Sequence, residues 1–210
     1  MASHKLTHII LAVLLLSAIP VAGVHAATPT AAQILDKTAK TLTSAKSATI
    51  HFAYTASSAH SNGFITISGK KFTLSLGNMA IWYNGTLQWA LNRSENEVSL
   101  TRPTAAETLE TNPFAILTSY KQHYTPTLAK ASKSEYTVTL KPKSRNTQIT
   151  SATIRINAAN YQPKALTLRL SDGSTVSATI TSVSSGTALP ASYFEYNARA
   201  NPQIELIDLR

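Results

Sequence analysis

Met79-Ala80-Ile81-Trp82-Tyr83-Asn84-Gly85-Thr86-Leu87-Gln88-Trp89-Ala90-Leu91 carries the strongest local signal in this chain. Two runs of aromatic and aliphatic residues flank Asn-Gly. That pair is preferred in two-residue type I′ hairpins because both turn positions need positive φ. The stretch reads as a strand over 79–83, a turn at Asn84-Gly85 and a strand over 86–91. It makes the chain a β protein built from hairpins.

The same period of two extends in both directions. Upstream, Ala48, Ile50, Phe52 and Tyr54 alternate with Thr49, His51 and Ala53, as in a half-buried strand. Further strands are expected over 64–67 and 71–76, the latter with Phe72, Leu74 and Leu76 on one face. Downstream, 97–101 is a strand that Pro103 ends. The pattern resumes over 136–140, 147–157, 165–170 and 175–183, with the turn cluster Ser171-Asp172-Gly173-Ser174 between the last two. The chain closes with 192–196 and an apolar end, 204–209, whose near-continuous hydrophobicity predicts packing on both sides.

Three segments follow a helical period instead. Thr28 is the expected N-cap and Pro29 the first turn of a helix whose stripe is Ala31, Ile34, Leu35, Thr38 and Leu42. Thr104 caps a short helix through Leu109. Asn112-Pro113 caps another, with Phe114, Leu117 and Tyr120 along one side. There is no repeat and no linker, so one domain over 27–210 is expected. Its class is mainly β (α+β): one antiparallel sheet carrying helices on one face.

Residues 1–26 read as a secretory signal peptide, with Lys5, an apolar run over 9–19 and the small-residue site Val24-His25-Ala26. The apolar run is too short to span a bilayer. The chain has no cysteine, hence no disulfide and no acylated cysteine anchor. A soluble extracytoplasmic protein is expected, and nothing requires more than a monomer. The formal net charge of +9 would draw it to acidic partners. Nucleic acid is not expected in that compartment. Lys130, Lys133, Lys141, Lys143 and Arg145 gather around an apparent hairpin, as a solvated face or a docking face.

Catalytic and metal signatures are missing from the sequence. His51, His60 and His123 stand at no metal-ligand spacing from other donors, and there is no thiolate to help them. The acidic residues form no recognisable pair; Glu107 and Glu110 share a helix face. No nucleophile elbow, phosphate loop or dinucleotide fingerprint occurs. A non-enzymatic protein without a cofactor is expected. A β-rich hydrolase with a dispersed site and a purely structural surface protein are the alternatives from other classes. What stands out instead is apolar surface. Ile50, Phe52, Tyr54, Phe72, Leu74, Met79, Ile81, Trp82, Trp89 and Leu91 come from strands, and Leu35, Leu42, Phe114, Leu117 and Tyr120 from helices. They make either an ordinary core or an incompletely closed pocket for a lipid.

Five segments, in order, resemble the outer-membrane lipoprotein carrier protein family (LolA-like) of Gram-negative bacteria. They are Gly69-Lys70-Lys71-Phe72, the hairpin 82–89, Asn112-Pro113-Phe114-Ala115-Ile116-Leu117, Ser192-Tyr193-Phe194-Glu195-Tyr196-Asn197, and the run 202–210 ending in Asp208-Leu209-Arg210. The resemblance implies an incomplete antiparallel β-barrel with helices as a lid over its concave face. It implies a periplasmic chaperone that takes acylated lipoproteins from an inner-membrane ABC-type release complex to the outer membrane, where an acceptor receives them. The cavity would be lined by Ile50, Phe52, Tyr54, Phe72, Leu74, Met79, Ile81, Trp89 and Leu91. Leu35, Leu42, Phe114, Leu117 and Tyr120 would form the lid. Family members commonly carry an arginine just before the aromatic matching Phe72, tying sheet to lid. Here Lys70 and Lys71 are the candidate latch. A lipid sensor or transporter of the same fold would need the same cavity. An anchored outer-membrane acceptor would need a lipidated cysteine.

Overall fold

The computed structural model describes residues 28–57, 59–145 and 147–210, the Glu110 side chain aside. The expected signal peptide lies outside the described residues. Helix α1 (Ala31–Thr43) opens on Thr30, whose hydroxyl accepts from the Gln33 amide while the Gln33 side chain returns to the Thr30 amide. The N-cap is therefore Thr30 rather than Thr28, because only Thr30 has a glutamine three residues on to complete the capping box. The stripe Ala31, Ile34, Leu35, Thr38 and Leu42 is buried throughout.

Strands β1 (Ser47–Ala56), β2 (Ala59–Ser68), β3 (Lys71–Leu76), β4 (Met79–Tyr83), β5 (Gln88–Asn92) and β6 (Glu97–Thr101) form a meander. Helices α2 (Ala105–Thr111) and α3 (Ile116–His123) follow, joined by a 3-10 turn at Pro113–Ala115. Then come β7 (Tyr124–Ala131), β8 (Glu135–Pro142), β9 (Ile149–Asn157), β10 (Pro163–Leu170), β11 (Thr175–Gly186) and, after two 3-10 turns, β12 (Glu205–Asp208). All twelve strands make one open sheet in the order β12-β6-β5-β4-β3-β2-β1-β11-β10-β9-β8-β7. Pairing is antiparallel except between β12 and β6, which is parallel.

Four expectations change. The β4–β5 connection has four residues, 84–87, with Tyr83 opposite Gln88. The Asn84 carboxamide oxygen accepts from the amides of Thr86 and Leu87, and of the two expected turn residues only Gly85 has positive φ. Asn84 thus uses its side chain to make the turn instead of entering the left-handed region. Strand β7 escapes the sequence pattern, which Pro126 interrupts. It lies at a sheet edge, with its ladder broken between Leu128 and Lys130, where a proline is tolerated. The sheet is not wholly antiparallel. And the C-terminal run is not packed on both sides, since Leu206, on the other edge strand, is 46% exposed and Leu209, just past it, 62%.

Two apolar clusters lie on opposite faces. The main one joins α1 and α3 to the inner face of the sheet through Ile34, Leu35, Phe114, Leu117 and Tyr120. Alternation sends Ala80, Leu91 and Val98 to the outer face. The C-terminal segment covers them there with Tyr196 and Ile204. Gly63 is needed on β2: a Cβ there would meet the Ser75 carbonyl at 2.7 Å and the Phe52 ring at 3.0 Å. Its bareness lets Phe52 lie against Phe114, ring centroids 5.4 Å apart.

Candidate functional site

Helices α1 and α3 cover only part of the inner face. Beside them an open cavity of about 560 Å³ remains. Its floor comes from β1 (Phe52, Tyr54), β3 (Leu74, Leu76) and β4 (Met79, Ile81). Its other flank comes from β9 (Ile149), β10 (Leu166, Leu168, Leu170) and β11 (Val176, Ala178). Leu109, Thr111 and Pro113, from α2 and the turn after it, overhang the opening. The period of two that buries one face of each strand makes this wall aliphatic and aromatic. Its volume lies within the range of about 300–1,000 Å³ seen for small-molecule sites.

The cavity brings together Phe52, Tyr54, Leu74, Met79 and Ile81 of the expected set. Ile50 and Phe72 are sealed in the main core and do not reach the wall. Trp89 and Leu91 lie on the outer face, with Trp82 and Tyr196. Pair register explains why. Ile81 lies opposite Ala90 and Met79 opposite Asn92, so the face of Met79 and Ile81 is shared by Gln88 and Ala90. A loop of two residues or of four gives the same parity. The expected lid residues Leu35, Leu42, Phe114, Leu117 and Tyr120 are all buried in the main core.

The segment overhanging the opening is α2, whose residues the sequence reading does not assign to the site. Its capping box joins Thr104 and Glu107: the Thr104 hydroxyl accepts from the Glu107 amide, and the Glu107 carboxylate accepts from the Thr104 amide at 2.7 Å. None of its described side chains is buried. The one sequence signal is Leu109, the single large apolar residue of that helix. Its side-chain tie to the sheet is Thr111, whose hydroxyl donates to Gln88 Oε1 at 2.9 Å; Gln88 is 8% exposed.

The candidate latch residues Lys70 and Lys71 lie at the β2–β3 turn and the first position of β3. Lys70 is exposed in the β2–β3 turn and Lys71 is half-buried. Among the described residues neither side chain makes a hydrogen bond or ion pair. The helices are instead tied to one another. Asp36 on α1 accepts from Lys121 and, at 2.9 Å, from the Tyr120 hydroxyl on α3. Lys121 holds the Asp36 carboxyl below its ordinary range, with a smaller contribution from Tyr120. Burial, reinforced by Asp36, pushes the Tyr120 hydroxyl well up. Lys37 binds the Tyr161 hydroxyl at 3.2 Å and sits 4.5 Å from its ring centroid.

A second cavity of about 380 Å³ adjoins the first through Leu109, Gln148 and Ile149, and continues to His123, Tyr124 and Arg145. The three histidines lie apart. His51 rests on Phe64 on the outer face, His60 meets Thr55 at 3.2 Å, and His123 lines the second cavity. Among the described residues no three His, Asp or Glu side chains form a metal-binding group. No described helix is long and apolar enough to cross a membrane.

This architecture has known counterparts. An uncharacterised conserved protein from Thermus thermophilus superposes with a TM-score of 0.57 at 9% identity, covering 85% of this chain and 98% of that one. A LolA superfamily protein from Nitrosomonas europaea matches with a TM-score of 0.45 at 14% identity, covering 80% and 99%. A putative outer membrane lipoprotein-sorting protein domain from Vibrio parahaemolyticus gives 0.44 at 10% identity, covering 77% and 94%. No curated protein matches the sequence. The model of the family described as outer membrane lipoprotein carrier protein LolA matches residues 23–173, which include every strand of the cavity floor and all three helices. With its open, mostly β sheet and its helices on one face, the chain belongs to the LolA outer membrane lipoprotein carrier family.

Proposed function

We propose that this protein is a periplasmic carrier that shelters the acyl chains of lipoproteins during transit from inner to outer membrane. The supporting observation is the apolar cavity of about 560 Å³ between the sheet and a helix with no buried side chain among those described. Withdrawing an acyl chain from water yields about 0.8 kcal/mol per methylene. A multiply acylated protein therefore needs such a surface to cross an aqueous space. A loosely seated α2 partly covers the surface when the carrier is empty and yields when cargo arrives. An ABC-type release complex would supply the cargo, and an outer-membrane acceptor would take it.

A second reading, carriage or sensing of a free lipid, is favoured by the cavity's size, which suits one lipid-sized ligand. Mass spectrometry of the protein isolated from its native compartment separates the two. Co-purifying triacylated proteins support lipoprotein carriage. Free phospholipid alone supports the second reading. Isolation with neither, together with no uptake of a fluorescent acyl probe in vitro, would sink both.

A further inference from the structure

The two cavities differ in polarity. The first is walled almost wholly by aliphatic and aromatic side chains, with Thr111 and Gln148 as its polar exceptions. The second begins at the same Leu109 and Ile149 but ends at His123 and Arg145. More cations gather behind that rim. The Lys143 amide donates to the His123 carbonyl at 2.8 Å, and Lys143 Nζ donates to the Lys121 carbonyl at 2.7 Å. Lys141 lies one strand away, opposite Thr125. This end of the β7–β8 hairpin thus concentrates Lys121, Lys141, Lys143, Arg145 and His123.

Among the described side chains, the carboxylates nearest this rim in the chain are already engaged. Asp36 is held by Lys121 and Tyr120, Glu107 by Thr104, and Asp172 by the Ser174 amide at 2.8 Å. Arg145 makes no hydrogen bond or ion pair among the described residues. A guanidinium with no partner among the described residues, at the polar end of an otherwise apolar channel, is placed to receive an anion, and its planar fork matches phosphate oxygens.

We propose that the second cavity seats the phosphate headgroup of an anionic diacyl lipid whose chains lie in the first, with Arg145 and His123 as the headgroup contacts. This rests on the acyl-cavity reading above, in its free-lipid form. Leu109 is the partition between head and tails, and α2 must shift for a lipid to straddle it. Lys141 and Lys143 add attraction at longer range.

The test is displacement of a bound fluorescent fatty-acid analogue from the purified protein by water-soluble short-chain lipids. Dihexanoyl phosphatidylglycerol should displace it at roughly tenfold lower concentration than dihexanoyl phosphatidylcholine, as a charge-assisted contact predicts. The preference should shrink as salt rises, because the rim faces solvent. Inorganic phosphate alone should leave the probe in place, since it has no chains to occupy the first cavity. Arg145→Gln should erase most of the preference. Lys133→Gln makes the same charge change at the far end of the hairpin, roughly 25 Å away along eight residues of strand, and should leave it intact. Equal displacement by the two lipids, or equal loss in both variants, overturns the headgroup assignment. So does Arg145-dependent binding to phosphatidylglycerol vesicles without any preference among soluble lipids, which would make the rim a membrane-docking face. A protein that takes up no probe at all overturns the cavity reading itself, and the headgroup site with it.

Discussion

Met79 shows how one residue can serve the site without serving the core. It lines the cavity yet is 40% exposed, so the fold places little weight on it. Met79→Glu should change stability by less than about 1 kcal/mol. A carboxylate at that wall would lose its hydration under a bound acyl chain. Affinity for a fluorescent acyl probe should fall at least tenfold, measured by titration on protein with an unchanged melting curve; undiminished binding would remove Met79 from the site. Leu74→Glu should also abolish uptake, but at 6% exposure it is the harsher change. Tyr196 presents the opposite case. Its hydroxyl is buried with no hydrogen-bond partner among the described residues, as is that of Thr73, whose strand neighbour Trp82 contacts the Tyr196 ring at 5.4 Å. Tyr196→Phe removes an unpaired polar group while keeping the ring, so stability should hold or rise by up to about 1 kcal/mol in urea unfolding. A clear loss would mean that the hydroxyl has a partner, such as an ordered water. The sequence reading puts Met79 in the wall, together with Trp89 and Leu91 from the other face, and gives Tyr196 no role in the cavity. Composition names both residues as apolar, whereas wall and outer face are separated by strand parity.

Among the elements, strands were legible wherever one face is buried and the other wet. Lys71–Leu76, Met79–Tyr83 and Glu97–Thr101 fall where their alternation puts them. Elements at the sheet edges were not. Strand β7 is polar and carries Pro126, and β12, which pairs only with β6, leaves Leu206 exposed. Edge strands escape the pattern because they are not buried on a regular period. The β8–β9–β10 end of the sheet is held partly by charge. Glu135 takes a bidentate bond from Arg155, both contacts at 2.9 Å, and a third contact from Lys164 at 3.1 Å. Arg155 first, then Lys164, holds its pKa at about 2 against an ordinary 4.5. Because the folded pKa is the lower one, this stabilisation is complete above pH 4.5 and is lost as pH falls towards 2. The partners are half-exposed, so about 1 kcal/mol is the ceiling. Urea unfolding at pH 6 and pH 3 should show Glu135→Gln losing less stability on acidification than the parent protein. Equal losses would show that the cluster contributes nothing to the acid limb.

For the molecule as a whole, two helices and one loosely held segment divide the work. Helices α1 and α3 bury their stripes and are joined through Asp36, so they behave as part of the core. Their stripes are legible in sequence because burial is periodic, but the stripe residues lie in the core and do not line the cavity. The overhang is not legible, because α2 is short and has no stripe. Its side-chain hydrogen bond to the sheet among the described residues is Thr111–Gln88, a neutral contact worth about 1 kcal/mol net. Set against the yield from burying even a few methylenes, that is small enough for cargo to displace α2. The chain contains no cysteine, so Thr111→Cys with Gln88→Cys introduces one addressable pair. Bridging the pair with a cleavable thiol cross-linker should block uptake of an acyl probe, and cleaving the bridge should restore it. The unbridged double variant should bind with the probe exchanging faster than in the parent protein, since the bond that seats α2 is gone. Full uptake with the bridge intact would show that acyl chains enter without moving α2, through the flank between β4 and β9, and the overhang would then be a fixed wall.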